Sequence, residues 1–260
     1  DQFIEAPTAE MEINSIGFNT KEGNWEFRPG PKVKDWNPYE VLPTLTKKTV
    51  EWINKQDDDK PFFLYFALPS PHAPIIPNDD FDGKSGAGGY GDFMVQTDWV
   101  AGQVLKALKE KGLEENTIII FSADNGPEHY AWKRAEKYGH FSMGYFRGLK
   151  RDVWEGGHHV PLIIKWPGQV EAASISNEVI SQVDIMATLA SITGIDLSES
   201  AAPDSYNFTS VIKGKKYKSP VREATVHNTY ETKWGIRKGK WLYINGKSGG
   251  HRKLPESFKK

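Results

Sequence analysis

The period of apolar and polar positions changes several times along the chain, and each change predicts an element. Residues 1–40 are polar and broken by prolines, with Arg28-Pro29-Gly30-Pro31 and Asn37-Pro38 as turn signals, which predicts an irregular excursion with one short strand pair. Leu42, Leu45, Thr49, Trp52 and Ile53 then recur at helical spacing as far as Gln56-Asp57-Asp58-Asp59. The run 62–68 is apolar at every position, the pattern of a strand buried on both faces of a parallel sheet. A second helical stripe, Val100, Ala101, Val104, Leu105 and Leu108, is closed by Gly112. Trp52 and Trp99 fall within these helices and are expected in the core. Apolar strands follow at 117–123 and 160–165, with a long polar and aromatic stretch, 127–147, between them. That stretch reads as a functional loop.

A helix is expected from Gln182 or Asp184 to Thr193, burying Ile185, Leu189 and Ile192 and stopped by Gly194. Residues 195–220 read as a loop-rich connection. A strand at 224–227 and a hairpin of 234–237 with 240–244, turning at Lys238-Gly239, end the pattern. The fold class is therefore α/β, a mostly parallel sheet with helices on both faces, followed by the start of a small C-terminal antiparallel sheet. Residues 1–195 form the later part of a catalytic α/β domain in this reading, and 196–260 the connection and a partial subdomain.

Composition narrows the function. With 33 Lys and Arg against 34 Asp and Glu in 260 residues, the chain has no basic footprint for nucleic acid or an anionic membrane. No apolar run approaches the roughly 20 residues of a membrane span. A small molecule or a glycan is the better partner, and oligomeric state is not encoded in any pattern. There is no cysteine, so thiolate metal sites and disulfides are excluded within this span. No targeting signal is visible at Asp1.

Three of the predicted strands end in polar groups. Ala123-Asp124-Asn125-Gly126 closes the run at 117–123, and ligands of α/β sheets bind at such strand ends. Asp124 and Asn125 supply hard oxygens of the kind calcium or magnesium takes, although Asn-Gly is also an ordinary turn dipeptide. Pro69-Ser70-Pro71-His72-Ala73-Pro74 follows 62–68; flanking prolines hold the backbone of His72, a proton carrier near neutral pH. Lys150 opens the segment leading to Trp154-Glu155-Gly156-Gly157-His158-His159-Val160-Pro161, where the glycine pair permits close backbone approach. His129, His140 and Arg147 lie in the intervening loop as further candidates. A zinc site on His158 and His159 is disfavoured, since neighbours in a strand face opposite ways. The Gly-rich 83–91 lacks the preceding strand and the ending of a phosphate loop.

In this order and spacing, Pro-His-Ala-Pro, Asp-Asn-Gly, Gly-Leu-Lys and Glu-Gly-Gly-x-x-Val-Pro resemble the sulfatase family of the alkaline-phosphatase-like superfamily, over about residues 40–245. The resemblance implies metal ligation by Asp124 and Asn125, with calcium ahead of magnesium. It implies catalytic and substrate-binding roles for His72 and Lys150 on a sulfate ester. It implies a formylglycine nucleophile made from Cys or Ser; the chain has no Cys and no Ser-x-Pro-x-Arg, so it reads as a fragment lacking that segment and inactive alone. An exported compartment, whether periplasmic, extracellular or lysosomal, and a sulfated small molecule or glycan as substrate are implied as well. The family commonly has Arg where His159 stands. The alternatives are a phosphodiesterase or phosphonate hydrolase of the same superfamily, and a non-catalytic remnant that binds sulfated glycan.

Overall fold

A computed structural model describes residues 5–11, 21–22, 29–57, 59–215, 219–229, 232–251 and 253–258. Arg28 and Asp58, named above in a turn and a helix end, lie outside them. The chain divides into two compact units, one of residues 1–114 with 133–140, the other of 115–132 with 141–260. Among the described residues no helix is long and apolar enough to cross a membrane.

In the first unit, β1 (Ala9–Met11) pairs antiparallel with β2 (Gly30–Lys32), the short pair expected near the start. The helix α1 (Val41–Asn54) carries Pro43 in its first turn, where no intrahelical donor is lost. It buries Leu42, Thr46, Thr49 and Ile53 and packs along α2 (Gly88–Glu110). Leu42, Ile75, Ile76, Phe93 and Val100 form the core, with Phe66, Leu68 and Tyr90 against it. Trp52 and Trp99 are not core residues: they are 37% and 40% exposed. Each stands at the rim of its stripe and touches a single aromatic edge-on, Phe62 and Phe81 respectively.

The segment 62–68 belongs to no ladder, which corrects the expected strand. Its exposure alternates: Phe62, Leu64, Phe66 and Leu68 are half-buried, whereas Phe63 and Tyr65 are 74% and 81% exposed. One face packs and the other does not, so burial on both sides is also corrected. The Gly-rich loop before α2 is folded onto Asp92, whose carboxylate accepts from the N–H groups of Gly83 at 2.9 Å and Ser85 at 2.8 Å. Those donors serve the loop itself.

The second unit holds β3 (Ile119–Ser122) and β4 (Leu162–Lys165), paired antiparallel with Ile120 opposite Ile164. The described ladders are all antiparallel. The stretch 127–147 is not wholly loop, since α3 (Tyr130–Tyr138) lies within it and runs across the division between the units. The helix α4 (Asp184–Thr193) ends at Gly194 in the left-handed conformation, φ 72°. Its fully buried positions are Asp184, Thr188 and Ala190, and Ile185, Leu189 and Ile192 are half-buried. Asp184, wholly buried, accepts from Ser181 N–H, Tyr206 N–H and the Arg222 guanidinium. After the short α5 (Thr209–Ile212) come β5 (Thr225–Asn228), β6 (Trp234–Lys238) and β7 (Trp241–Ile244), an antiparallel sheet in that order, as the hairpin pattern requires.

Candidate functional site

The peptide leaves β3 at Ser122 and bends through Ala123-Asp124-Asn125-Gly126. Gln182, just before α4, ties down this exit by donating to the Ala123 carbonyl at 2.5 Å and Ser122 Oγ at 3.0 Å. Asp124 is exposed and Asn125 half-buried. Asn125 Nδ2 donates to Asp124 Oδ1 at 2.8 Å, so the two side chains are held together with the amide nitrogen facing the carboxylate. A carboxylate and an amide carbonyl are hard donors that fit calcium or magnesium. Among the described residues no group of three or more His, Cys, Asp or Glu is gathered to hold a metal, so this pair fits part of a shell.

Three stretches of backbone are in direct contact here. Gly126 N–H donates to the Gly157 carbonyl at 2.9 Å, Lys150 N–H to the Pro127 carbonyl at 2.9 Å, and Gly156 N–H to the Arg147 carbonyl at 2.8 Å. A Cβ on Gly126 would lie 1.9 Å from the Gly156 oxygen, and one on Gly156 would lie 2.1 Å from the Gly148 oxygen. Only glycine lets these chains approach so closely. The metal-type loop and the lysine loop are thereby held as one body. Lys150 is half-buried, and among the described residues its ammonium has no carboxylate partner.

Glu155 anchors the glycine pair to the C-terminal sheet. Its carboxylate accepts from Arg237 Nε on β6 at 2.6 Å and from His159 Nδ1 at 3.0 Å. Burial pushes its pKa up, but the hydrogen bonds from His159 and Arg237 and the Arg237 charge hold it below the usual range. His159, standing where the family commonly has Arg, thus shares the carboxylate with an arginine from elsewhere; its ring stacks on Phe146 at 4.2 Å.

His158 turns to β5. Its Nε2 lies 2.8 Å from His227 Nε2, which is also 3.2 Å from the Val153 carbonyl. A carbonyl only accepts, so the proton sits on His227 Nε2 and His158 Nε2 offers its lone pair. Burial, reinforced by the His227 charge, pushes the His158 pKa down to about 4. His158 Nδ1 is buried without a partner among the described residues.

Glu128 follows Pro127. Burial works to raise its pKa, yet hydrogen bonds from His129 and Arg151 together with the Arg151 charge bring it down to about 2. Of the other loop candidates, the His129 ring lies 4.1 Å from that of Tyr130, the Arg147 guanidinium covers the Trp154 ring at 4.2 Å, and His140 is exposed.

His72 is described within the first unit. Ile75, Ile76 and Pro77 bury the segment that follows it, His72 N–H donates to the Pro69 carbonyl at 3.0 Å, and the peptides before Pro71 and Pro74 are cis. The exposed imidazole donates from Nδ1 to the Ala73 carbonyl at 2.6 Å, so Nε2 is the basic nitrogen. The structure thus brings Asp124, Asn125 and Lys150 into one set of loops and presents His72 on its own rigid turn. The sequence reading missed Glu128, Arg151, His227 and Arg237. Each acts through a partner remote in sequence or through a turn no periodicity announces.

Comparison with solved structures fixes the class. A structure concerned with glycosaminoglycan metabolism by Bacteroides thetaiotaomicron superposes with a TM-score of 0.73 at 35% identity, covering 80% of this chain and 44% of that one. A sulfatase from Pseudoalteromonas sp. gives 0.66 at 28% identity, covering 82% and 44%. The fold is the α/β fold of the alkaline-phosphatase-like sulfatases. The sulfatase family model matches residues 15–195, and the chain belongs to the sulfatase family. Among its relatives are an N-acetylgalactosamine-6-O-sulfatase from Bacteroides thetaiotaomicron, 36% identical over 83% of this chain, and human arylsulfatase A, 32% identical over 72%. The chain spans 42% and 36% of the lengths of these two relatives, less than half of either.

Proposed function

We propose that the complete protein hydrolyses a sulfate ester, releasing an alcohol and inorganic sulfate by cleavage of the S–O ester bond. The observation that carries this is the interlock of the Asp124-Asn125 loop with the Lys150 loop, which joins an oxygen-donor pair to a cation with no carboxylate partner among the described residues. Asp124 and Asn125 would hold part of the shell of a divalent cation, calcium first, which when bound neutralises sulfate oxygens. The formylglycine nucleophile expected of the family would come from outside residues 1–260, which contain no Cys and no Ser-x-Pro-x-Arg. Lys150 places a point charge on a sulfate oxygen, and His72 or Lys150 delivers the proton to the departing alcohol oxygen. The substrate class is a sulfated carbohydrate, supported by the hexosamine sulfatase among the relatives at 36% identity. An exported compartment, where such polymers occur, fits this reading.

Two variants test the roles. Asp124→Ala should lower cation affinity and regain some activity at high calcium. Lys150→Ala should lose roughly 10²- to 10³-fold in kcat/KM with metal content unchanged and no calcium rescue. Wild-type kinetics for Lys150→Ala, or full metal occupancy in Asp124→Ala, sinks the assignment. Residues 1–260 alone should turn over no chromogenic aryl sulfate, and robust turnover by that chain would refute the placement of the nucleophile.

A further inference from the structure

Two residues outside these roles stand next to the groups that carry them. Glu128 follows Asp124-Asn125-Gly126-Pro127 and Arg151 follows Lys150, and their side chains form an ion pair. It lies beside the Lys150 N–H to Pro127 carbonyl bond, so the two loops are joined by backbone and by charge at neighbouring residues. The Glu128 carboxylate also takes the His129 N–H at 2.8 Å and His129 Nδ1 at 2.9 Å, which fixes it independently of Arg151.

The backbone at Arg151 is unusual. Its φ is 78°, in the left-handed region that glycine enters freely and a side chain does not. Such strain persists only where the surroundings impose it. Here the Asp152 carboxylate closes the turn by accepting the Leu149 N–H at 2.8 Å, and also accepts the His251 N–H at 2.5 Å. Sterics alone would place a glycine at 151, as at Gly148 with φ 92° at the start of the same turn.

We propose that the Glu128–Arg151 ion pair is a positioning device that sets the Lys150 ammonium against the Asp124-Asn125 donors. It rests on the sulfatase reading above. Glu128 is fixed from the donor loop, Arg151 grips it from the lysine loop, and the strained turn between Gly148 and Asp152 transmits that grip to Lys150. Neither side chain need touch the substrate.

Arg151→Gly in the complete protein separates this role from a scaffold role, because activity should fall while stability holds. Glycine takes the 78° φ without strain, which offsets the ion pair lost with the guanidinium, so the variant should unfold close to the wild-type temperature. Its kcat/KM should still fall roughly 10- to 100-fold, the loss typical of removing a group that orients a primary ligand. Glu128→Gln should lose a similar factor, the double variant should be little worse than either single one, and Arg151→Lys should recover part of the loss. Wild-type kcat/KM in Arg151→Gly, additive losses in the double variant, or a joint fall of melting temperature and activity in Arg151→Gly overturns the proposal while leaving the sulfatase reading standing. Absence of sulfate-ester turnover by the wild type sinks both.

Discussion

Gly126→Ala should damage stability and cation binding together. The added Cβ would stand 1.9 Å from the Gly156 oxygen and 2.9 Å from its carbonyl carbon. An ordinary close C···O contact is about 3.3 Å, so the loops must part by about 1.4 Å, the difference between 3.3 and the 1.9 Å present. Both sides of the clash are backbone, and no rotamer relieves it. Overpacking of this kind costs about 1–3 kcal/mol. Parting the loops also breaks the 2.9 Å hydrogen bond from Gly126 to Gly157, about 1–3 kcal/mol if the groups stay unpaired. A sum of about 4 kcal/mol corresponds to a fall of roughly 8–16 °C in melting temperature for a domain of this size. Gly102→Ala is the control: Gly102 sits in α2 with nothing within 4 Å of the added Cβ, and alanine should raise stability by about 0.5–1 kcal/mol. The assay is thermal unfolding of the complete protein alongside calcium titration. Unchanged melting and calcium affinity in Gly126→Ala, or equal damage from Gly102→Ala, would refute the steric reasoning.

Two other outcomes are expected. Asp184→Ala should cost about 3–5 kcal/mol in urea unfolding, because it strands the Arg222 guanidinium and the N–H groups of Ser181 and Tyr206; a loss under 1 kcal/mol would show the network is not needed. The second concerns pH. His158 drops from 6.5 to about 4 on folding, so the unfolded chain binds the extra proton and stability, complete above pH 6.5, should decline as pH falls toward 4. After allowance for its partial exposure this amounts to about 2 kcal/mol. Glu128 moves from 4.5 to about 2 and loses its contribution only below 4.5, so denaturant titrations between pH 4.5 and 6.5 report on the His158–His227 pair, since burial holds His227 below its ordinary value as well. His158→Asn should flatten that limb, and an unchanged slope would contradict the assignment.

Periodicity found the elements whose stripes are apolar and left out those whose burial is polar. The helices α1, α2 and α4 and the β6–β7 hairpin were legible because Leu42, Ile53, Val100 and Leu108 recur in phase and Gly194 and Gly239 mark the stops. The helix α3 was invisible: its inward face is Ala131, Arg134 and Ala135, and Arg134, 2% exposed, is held by partners that include Glu22 at 2.6 Å and the Tyr90 ring. Such partners lie far off in sequence. The run 62–68 misled for the opposite reason. Seven apolar residues announce a demand for burial, yet they do not say which partner meets it, and the exposed Phe63 and Tyr65 show a face that none of the described residues covers. At the candidate site, the placing of Asp124, Asn125 and Lys150 in adjoining loops was legible from residue type at a strand end and from an ordered set of motifs. Glu128, Arg151 and Arg237 were not, since an ion pair leaves no mark until the chain has folded.

The grip of Arg237 on Glu155 also orders events in time. The two residues are 82 apart in sequence, and at synthesis rates of about 5–20 residues per second the second is made roughly 4–16 s after the first. Throughout that interval β3, the Asp124-Asn125 bend and the glycine pair already exist as chain, but the guanidinium that anchors the Glu155 turn does not. A nascent chain can therefore form the local hydrogen bonds of these loops early and acquire their final brace only as the C-terminal sheet is made, so the element translated late completes the geometry of residues translated long before it.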